Sequence, residues 1–275
     1  MPELPEVETV VRTLEHQLGN VTIKDCHVLW DNIIAYPTPQ MFCAQIKGKT
    51  IQHYERYGKY LLFDLGSMMW IAHMRMEGKF YIQKSDEPYD KHVHVLFDLQ
   101  DGRQLRYHDT RKFGKMYLYE KRKDIHQYPC FQNIGLDAFD ERLTPTYLYH
   151  ALHKRKIVLK AALLDQSVIA GIGNIYADEI CFALGMHPET KIYHLRKKDF
   201  ERLLQETRRI LQGAIRYGGT TIRSYTSSLG VDGRFQLKLK VHAKKGEKCP
   251  VCHEEIKKIV AFIEEIVAEV GKEKM

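Results

Sequence analysis

The hydrophobic period of this chain changes near residue 140, where short alternating stretches give way to helical spacing. A chain with that change folds as two differently built parts. Before it, residues 59–65, 69–74, 92–99 and 103–107 read as strands, and Asp101-Gly102 between the last two is a hairpin turn signal. Such strands need a second layer to bury their faces, so a β-sandwich is expected. After Thr144, residues 147–164, 175–184 and 198–217 read as helices, punctuated by Gly171, Gly173, Gly185 and Gly218-Gly219. The fold class is therefore α+β, and 275 residues with 44% apolar content suit about two domains.

The N-terminus adds a helix ahead of the strands. Val7, Val10, Val11, Leu14 and Leu18 recur at helical spacing and form one apolar face. Packing that face into a core would fix the residues before it, Pro2 and Glu3. Removal of Met1 would leave Pro2 as a secondary amine, and an α-amino group titrates at about 7.7–8.0. Part of it would be an unprotonated nucleophile near neutrality, with Glu3 beside it as acid or base. The opposing reading is that Pro2 only eases Met1 removal and Pro5 opens the helix. No charged-then-apolar leader precedes the helix.

No apolar run is long enough to span a membrane, so a membrane protein is not expected. Cys26, Cys43, Cys130 and Cys181 are scattered singly, as reduced thiols are, and only Cys249 and Cys252 form a motif. The net charge of +7 favours an anionic partner such as nucleic acid.

Five segments together carry a resemblance: MPELPEVET at the start, GKYLLF at 58–63, HMRMEG at 73–78, DTRKFG at 109–114 and GIGNIYADE at 171–179. The chain resembles the formamidopyrimidine-DNA glycosylases, which are bacterial 8-oxoguanine repair enzymes, from Met1 to about Cys252. Leu4 stands where the sister endonuclease VIII family usually has glycine. The resemblance implies a catalytic β-sandwich domain with an N-terminal helix over residues 1–135. A helix-two-turn-helix DNA-binding domain follows over 136–235, and an atypical finger region over 236–275. It also implies a monomer in the bacterial cytosol or nucleoid, acting on double-stranded DNA with oxidised purines or abasic sites.

In this resemblance Pro2 attacks C1′ of the damaged nucleotide, Glu3 moves protons at the sugar, and Lys59 is a further catalytic group. The iminium so formed also implies strand cleavage by β-elimination. A nucleotide reaches such a site only by leaving the duplex, and the hole it leaves must be filled. Met76, Arg111 and Phe113 match the family's void-filling residues: a thioether and an aromatic ring can wedge between bases, and a guanidinium can donate to the widowed cytosine. His73, His92, Arg155 and Asn174 are the candidate phosphate contacts, Asn174 because it opens a helix after a glycine turn. Residues 220–230 resemble the loop that closes over an everted oxidised guanine.

The C-terminus departs from the family. Cys249 and Cys252 match the first half of its zinc finger, but residues 256–275 contain no Cys, His or Arg. Two thiolates do not complete a tetrahedral zinc shell. Ile256, Ile259, Val260, Ile263, Ile266, Val267 and Val270 instead form a helical stripe. An altered terminus, a packed replacement for the finger and a partner-binding helix all remain open readings. The activity expected is glycosylase with lyase, the second elimination being impaired; the alternative is a lesion-binding relative with reduced or no catalysis.

Overall fold

A computed structural model describes residues 1–220 and 233–259, so the larger part of the loop at 220–230 and the helical tail from residue 260 lie outside the described residues. Residues 256–259 are described and are not helical. The chain divides into two compact units, residues 1–134 with 211–237, and residues 135–210 with 238–275.

The first unit opens with α1 (Leu4–Leu18), started by a capping box in which Glu3 and Glu6 each accept from the other's backbone amide. Its apolar face is Val7, Val10, Val11, Leu14 and Leu18, all buried. The chain then runs through β1 (Val21–Val28), β2 (Ile34–Tyr36), α2 (Pro39–Ile46), β3 (Thr50–Ile51), β4 (His53–Tyr57) and β5 (Tyr60–Asp64). It continues as β6 (Met68–His73), β7 (Lys79–Lys84), β8 (Val93–Leu99), β9 (Arg103–His108) and β10 (Lys115–Glu120).

These strands form two five-stranded sheets, ordered β3-β1-β8-β9-β7 and β2-β10-β6-β5-β4, antiparallel except where β2 meets β10. The sandwich expected from the sequence is what forms. Phe63 and Trp70 of the second sheet stack at 4.1 Å and meet Phe80 and Phe97 of the first, with Trp70 to Phe97 at 4.5 Å. Each such ring stabilises the layer contact by about 1.5–3 kcal/mol through burial. The other face of the second sheet is covered as well: Leu62, Met69, Ile71 and Tyr119 pack with Tyr128 and Phe131 from the turns that follow β10. Burial on both faces is why β5 and β6 read as continuous apolar runs. α1 packs against β4 and β5. One expected boundary shifts, because β8 begins at Val93 and His92 lies in the turn before it.

In the second unit β11 (Leu136–Asp137) pairs in parallel with β12 (Ile169–Ala170), among α3 (Pro145–Leu152), α4 (Leu159–Leu164), α5 (Asn174–Leu184) and α6 (Lys197–Arg216). α6 runs on past this unit's last helical residue, Ile210. The single helix expected over 147–164 is two. α3 stops at Leu152, and the backbone of the following segment bonds elsewhere: Ile192 N donates to Ile157 O at 3.0 Å and Leu159 N to Thr190 O at 2.8 Å. Arg208 of α6 donates to the carbonyls of Ala138, Asp140 and Leu143, holding the segment before α3.

Candidate active site and nucleic-acid interface

The start of α1 and the tip of the β4–β5 hairpin make one corner of the first unit. Tyr57 pairs with Tyr60, so the turn between them has two residues, Gly58 and Lys59. Gly58 takes φ +55°, which a tight hairpin asks of its first central residue. The lysine is therefore delivered at a hairpin tip and yet is only 6% exposed, as Glu3 is only 3% exposed, and Pro2 is buried too. Burial pushes the Lys59 ammonium below its ordinary pKa, against the pull of the Glu3 and Glu6 carboxylates. An ammonium so placed can exchange a proton with its surroundings more readily than a solvated lysine.

Further residues set this corner and were not singled out in the sequence. Glu6 accepts from Glu3 N at 2.9 Å through one carboxylate oxygen, and through the other from Thr220 N at 2.7 Å and Thr220 Oγ1 at 3.0 Å. It thus ties the start of α1 to the residue just before the segment 221–232. Gly219 beside it has φ +76°, and a Cβ there would come within 2.7 Å of the same carboxylate. Arg56, buried, donates to Glu8 Oε2 at 2.9 Å and to Gly58 O at 3.1 Å, fastening α1 to the hairpin tip. The signal for Glu6 lay in the sequence as an acidic residue three positions after Glu3.

Two loops, 74–78 after β6 and 109–114 after β9, carry Met76, Arg111 and Phe113. Each of these side chains is exposed, Phe113 by half. The loops are joined beneath. The Tyr107 hydroxyl sits against both Gly78 and Gly114, where an added Cβ would lie 2.1 and 1.7 Å from it. Thr110 Oγ1 donates to the Glu77 carboxylate. Asp109 has no exposed surface, and its carboxylate accepts from the amides of Arg111 (3.0 Å), Phe113 (3.0 Å) and Gly114 (2.8 Å). The Arg111 guanidinium lies 4.8 Å from the Phe113 ring centre.

His73 closes β6 beside the first loop, its Nδ1 accepting from Arg75 N at 2.9 Å and its ring edge-on to Tyr60 at 4.4 Å. Burial pushes its pKa down to about 3, so the ring is neutral. With Nδ1 as acceptor the proton sits on Nε2, which makes His73 a neutral donor. His92 is half-buried, its amide held by Asp90 at 2.8 Å and its carbonyl accepting from Asp109 N at 2.9 Å. The segment leading to it is braced by Arg106, which is buried and donates to the carbonyls of Lys84, Glu87 and Pro88.

Arg155 and Asn174 belong to the second unit. Arg155 pairs with Asp165 at 2.7 Å. The N-cap of α5 is Gly173, so Asn174 is the first helical residue and is exposed at that end. Gln166 fixes the glycine turn before it, donating to Ile172 O at 2.7 Å and accepting from Gly171 N at 3.0 Å.

Cys249 and Cys252 lie in a short hairpin closed by the Lys248–Glu255 bridge, with Cys249 N donating to Glu254 O at 2.8 Å. Val251 N points at Cys249 Sγ at 3.5 Å, and backbone donors of this kind push that thiol below its ordinary pKa. Among the described residues no group of three or more Cys, His, Asp or Glu side chains is arranged to hold a metal. The two cysteines alone do not fit the four-ligand shell of a structural zinc site. No described helix is long and apolar enough to cross a membrane.

Two family models match the chain, the formamidopyrimidine-DNA glycosylase N-terminal domain over residues 1–116 and the formamidopyrimidine-DNA glycosylase H2TH domain over residues 134–226. The formamidopyrimidine-DNA glycosylase of Bacillus subtilis (strain 168) is 46% identical over 261 residues, 94% of either chain. That of Bacillus anthracis is 43% identical over 261 residues, again 94% of either chain. Among solved structures, Lactococcus lactis Fpg (MutM) in complex with N7-benzyl-Fapy-dG-containing DNA matches with a TM-score of 0.87 at 36% identity, covering 94% of this chain and 95% of that one. The complex of Lactococcus lactis Fpg with abasic-site DNA also gives 0.87 at 36% identity, covering 94% of each chain.

Proposed function

Because this chain belongs to the formamidopyrimidine-DNA glycosylase family, we propose that it excises oxidised purines, 8-oxoguanine and formamidopyrimidines, from duplex DNA and cleaves the strand at the resulting abasic site. The observation that carries the reading is the buried corner in which Glu3, preceded in the chain by buried Pro2, lies within electrostatic reach of a dehydrated Lys59. After Met1 removal the Pro2 nitrogen attacks C1′ of the everted nucleotide, the N–C1′ bond forms and the bond to the base breaks. Glu3 supplies the proton that lets the sugar ring open to an iminium. That iminium draws electrons from C2′, so its proton leaves, Lys59 serving in proton transfer, and the 3′ phosphate departs by β-elimination.

Met76 and Phe113 fill the vacated stack while Arg111 donates to the unpaired cytosine. His73 gives its Nε2 hydrogen to a phosphate as a neutral donor, and His92, Arg155 and the amides at the start of α5 around Asn174 hold others. The division of labour follows: residues 1–135 carry the chemistry and the wedge, and 136–235 grip the duplex. The protein acts as a monomer in the bacterial cytosol or nucleoid. No step runs through zinc, and without a finger arginine the second elimination is slow.

A second reading, a lesion-binding relative with little or no turnover, is favoured by the two-cysteine finger alone. Duplex DNA carrying 8-oxoguanine opposite cytosine separates the two. The expected result is release of the free oxidised base together with a cut strand; tight binding with the base still attached would select the second reading.

A further inference from the structure

Outside the catalytic corner, the first unit holds two cysteines in contact. Cys26 faces inward from β1 and is 5% exposed, while Cys43 lies half-buried on α2. Their sulfurs are 3.4 Å apart. β1 and α2 pack on each other, so the pair bridges two packed elements. A disulfide requires the sulfurs to close to about 2.05 Å, and here they already lie in van der Waals contact.

We propose that Cys26 and Cys43 form a peroxide-sensitive thiol pair that closes reversibly to a disulfide. Their surroundings divide the labour. The hydrogen bond with the Cys43 sulfur, and then burial, push the Cys26 thiol up, so it keeps its proton. The hydrogen bond shared with Cys26 and the backbone donor at Val28 bring Cys43 down to about 7. Cys130 and Cys181 are pushed up by burial to about 12 and have no sulfur partner in contact among the described residues, so they are inert by comparison.

In the reaction the Cys43 thiolate attacks a hydroperoxide oxygen, the O–O bond breaks, and water or an alcohol leaves with Cys43 as the sulfenic acid. The Cys26 sulfur then attacks the Cys43 sulfur. The S–S bond forms as the S–O bond breaks, and hydroxide leaves as water with the Cys26 proton. Two electrons pass from the thiol pair to the peroxide, and a dithiol reductant reverses the change.

Both cysteines fall in one tryptic peptide, residues 25–47, between Lys24 and the cut after Lys47. The test treats the folded full-length chain carrying Cys249→Ser and Cys252→Ser with a few equivalents of hydrogen peroxide, then blocks free thiols and digests without reduction. The expected product is peptide 25–47 lighter by two hydrogens and restored by dithiothreitol. With Cys26→Ser added, dimedone should label Cys43. A separate measurement guards against misfolded variants: in the untreated wild-type chain at pH 7, iodoacetamide should modify Cys43 at least about tenfold faster than Cys130. Retention of both thiols of peptide 25–47 through excess peroxide, or equal alkylation of Cys43 and Cys130, would overturn the proposal.

Discussion

The corner at Pro2, Glu3 and Lys59, proposed as the catalytic one, and the cysteine hairpin hold their groups in opposite ways. At the corner, Glu3, Glu6 and Lys59 are each at most 6% exposed, and the Glu6 carboxylate joins Glu3 to Thr220. In the hairpin Cys252 is exposed, Val251 is 73% exposed, and backbone bonds across a short turn supply the order. Burial with satisfied polar groups makes the first geometry a property of the fold. A short hairpin with little apolar burial needs a metal or a packed neighbour to hold it. The difference teaches that the corner's geometry is set by burial and hydrogen bonds within the first unit, support that the two-cysteine hairpin lacks.

The largest effect that sharpens this contrast is expected at Glu3. Glu3→Gln keeps the shape and removes the proposed proton-transfer group, so single-turnover base release should fall about 10²–10⁴-fold. A change under tenfold would take Glu3 out of the mechanism. Next comes Asp109, whose carboxylate holds three amides of the wedge loop. Asp109→Ala should cost about 2–4 kcal/mol in denaturant unfolding by leaving buried donors without partners. It should also weaken lesion-duplex binding; a stability within about 0.5 kcal/mol of wild type would contradict the anchoring role.

The corner's neighbour His73 gives a pH signature. Its pKa is about 3 when folded and about 6.5 when unfolded. Below 6.5 the unfolded chain takes up a proton that the folded chain refuses. Stability is therefore intact above that value and is lost as pH falls toward 3. Between pH 6.5 and 5 the loss should be about 2 kcal/mol, with His94, also pushed down by burial, adding in the same direction. In His73→Gln that upper part of the slope should flatten. The smallest effect belongs to the finger: Cys249→Ser with Cys252→Ser should change unfolding free energy by less than about 0.5 kcal/mol, because neither thiol is buried.

What the sequence made legible were the strongly periodic pieces. The apolar positions of α1 are all buried, and the four strands read from residues 59–107 lie within one residue of β5, β6, β8 and β9. β4 and β7 escaped because only Tyr54 and Phe80 are buried in them; their strand character comes from hydrogen bonds to distant partners. The break after Leu152 was hidden for the same reason, since residues 157 and 159 of the segment that follows bond to residues 190 and 192. At the site, the motifs named the candidate residues. Among their supports, Arg56, Arg106 and Tyr107 act through contacts distant in sequence, whereas Asp109 and Gln166 bond backbone groups two to six residues away and Glu6 belongs to a capping box, so these three had a local signal.

The most direct test of the claim that the corner works without a metal-bound finger is borohydride trapping on duplex DNA with 8-oxoguanine opposite cytosine. It should be run with and without a chelator, for the wild-type chain and for Pro2→Gly. The account expects a reduced covalent protein–DNA adduct of equal yield with and without chelator, and none in Pro2→Gly. An adduct that disappears with the chelator, or that survives in Pro2→Gly, would contradict it.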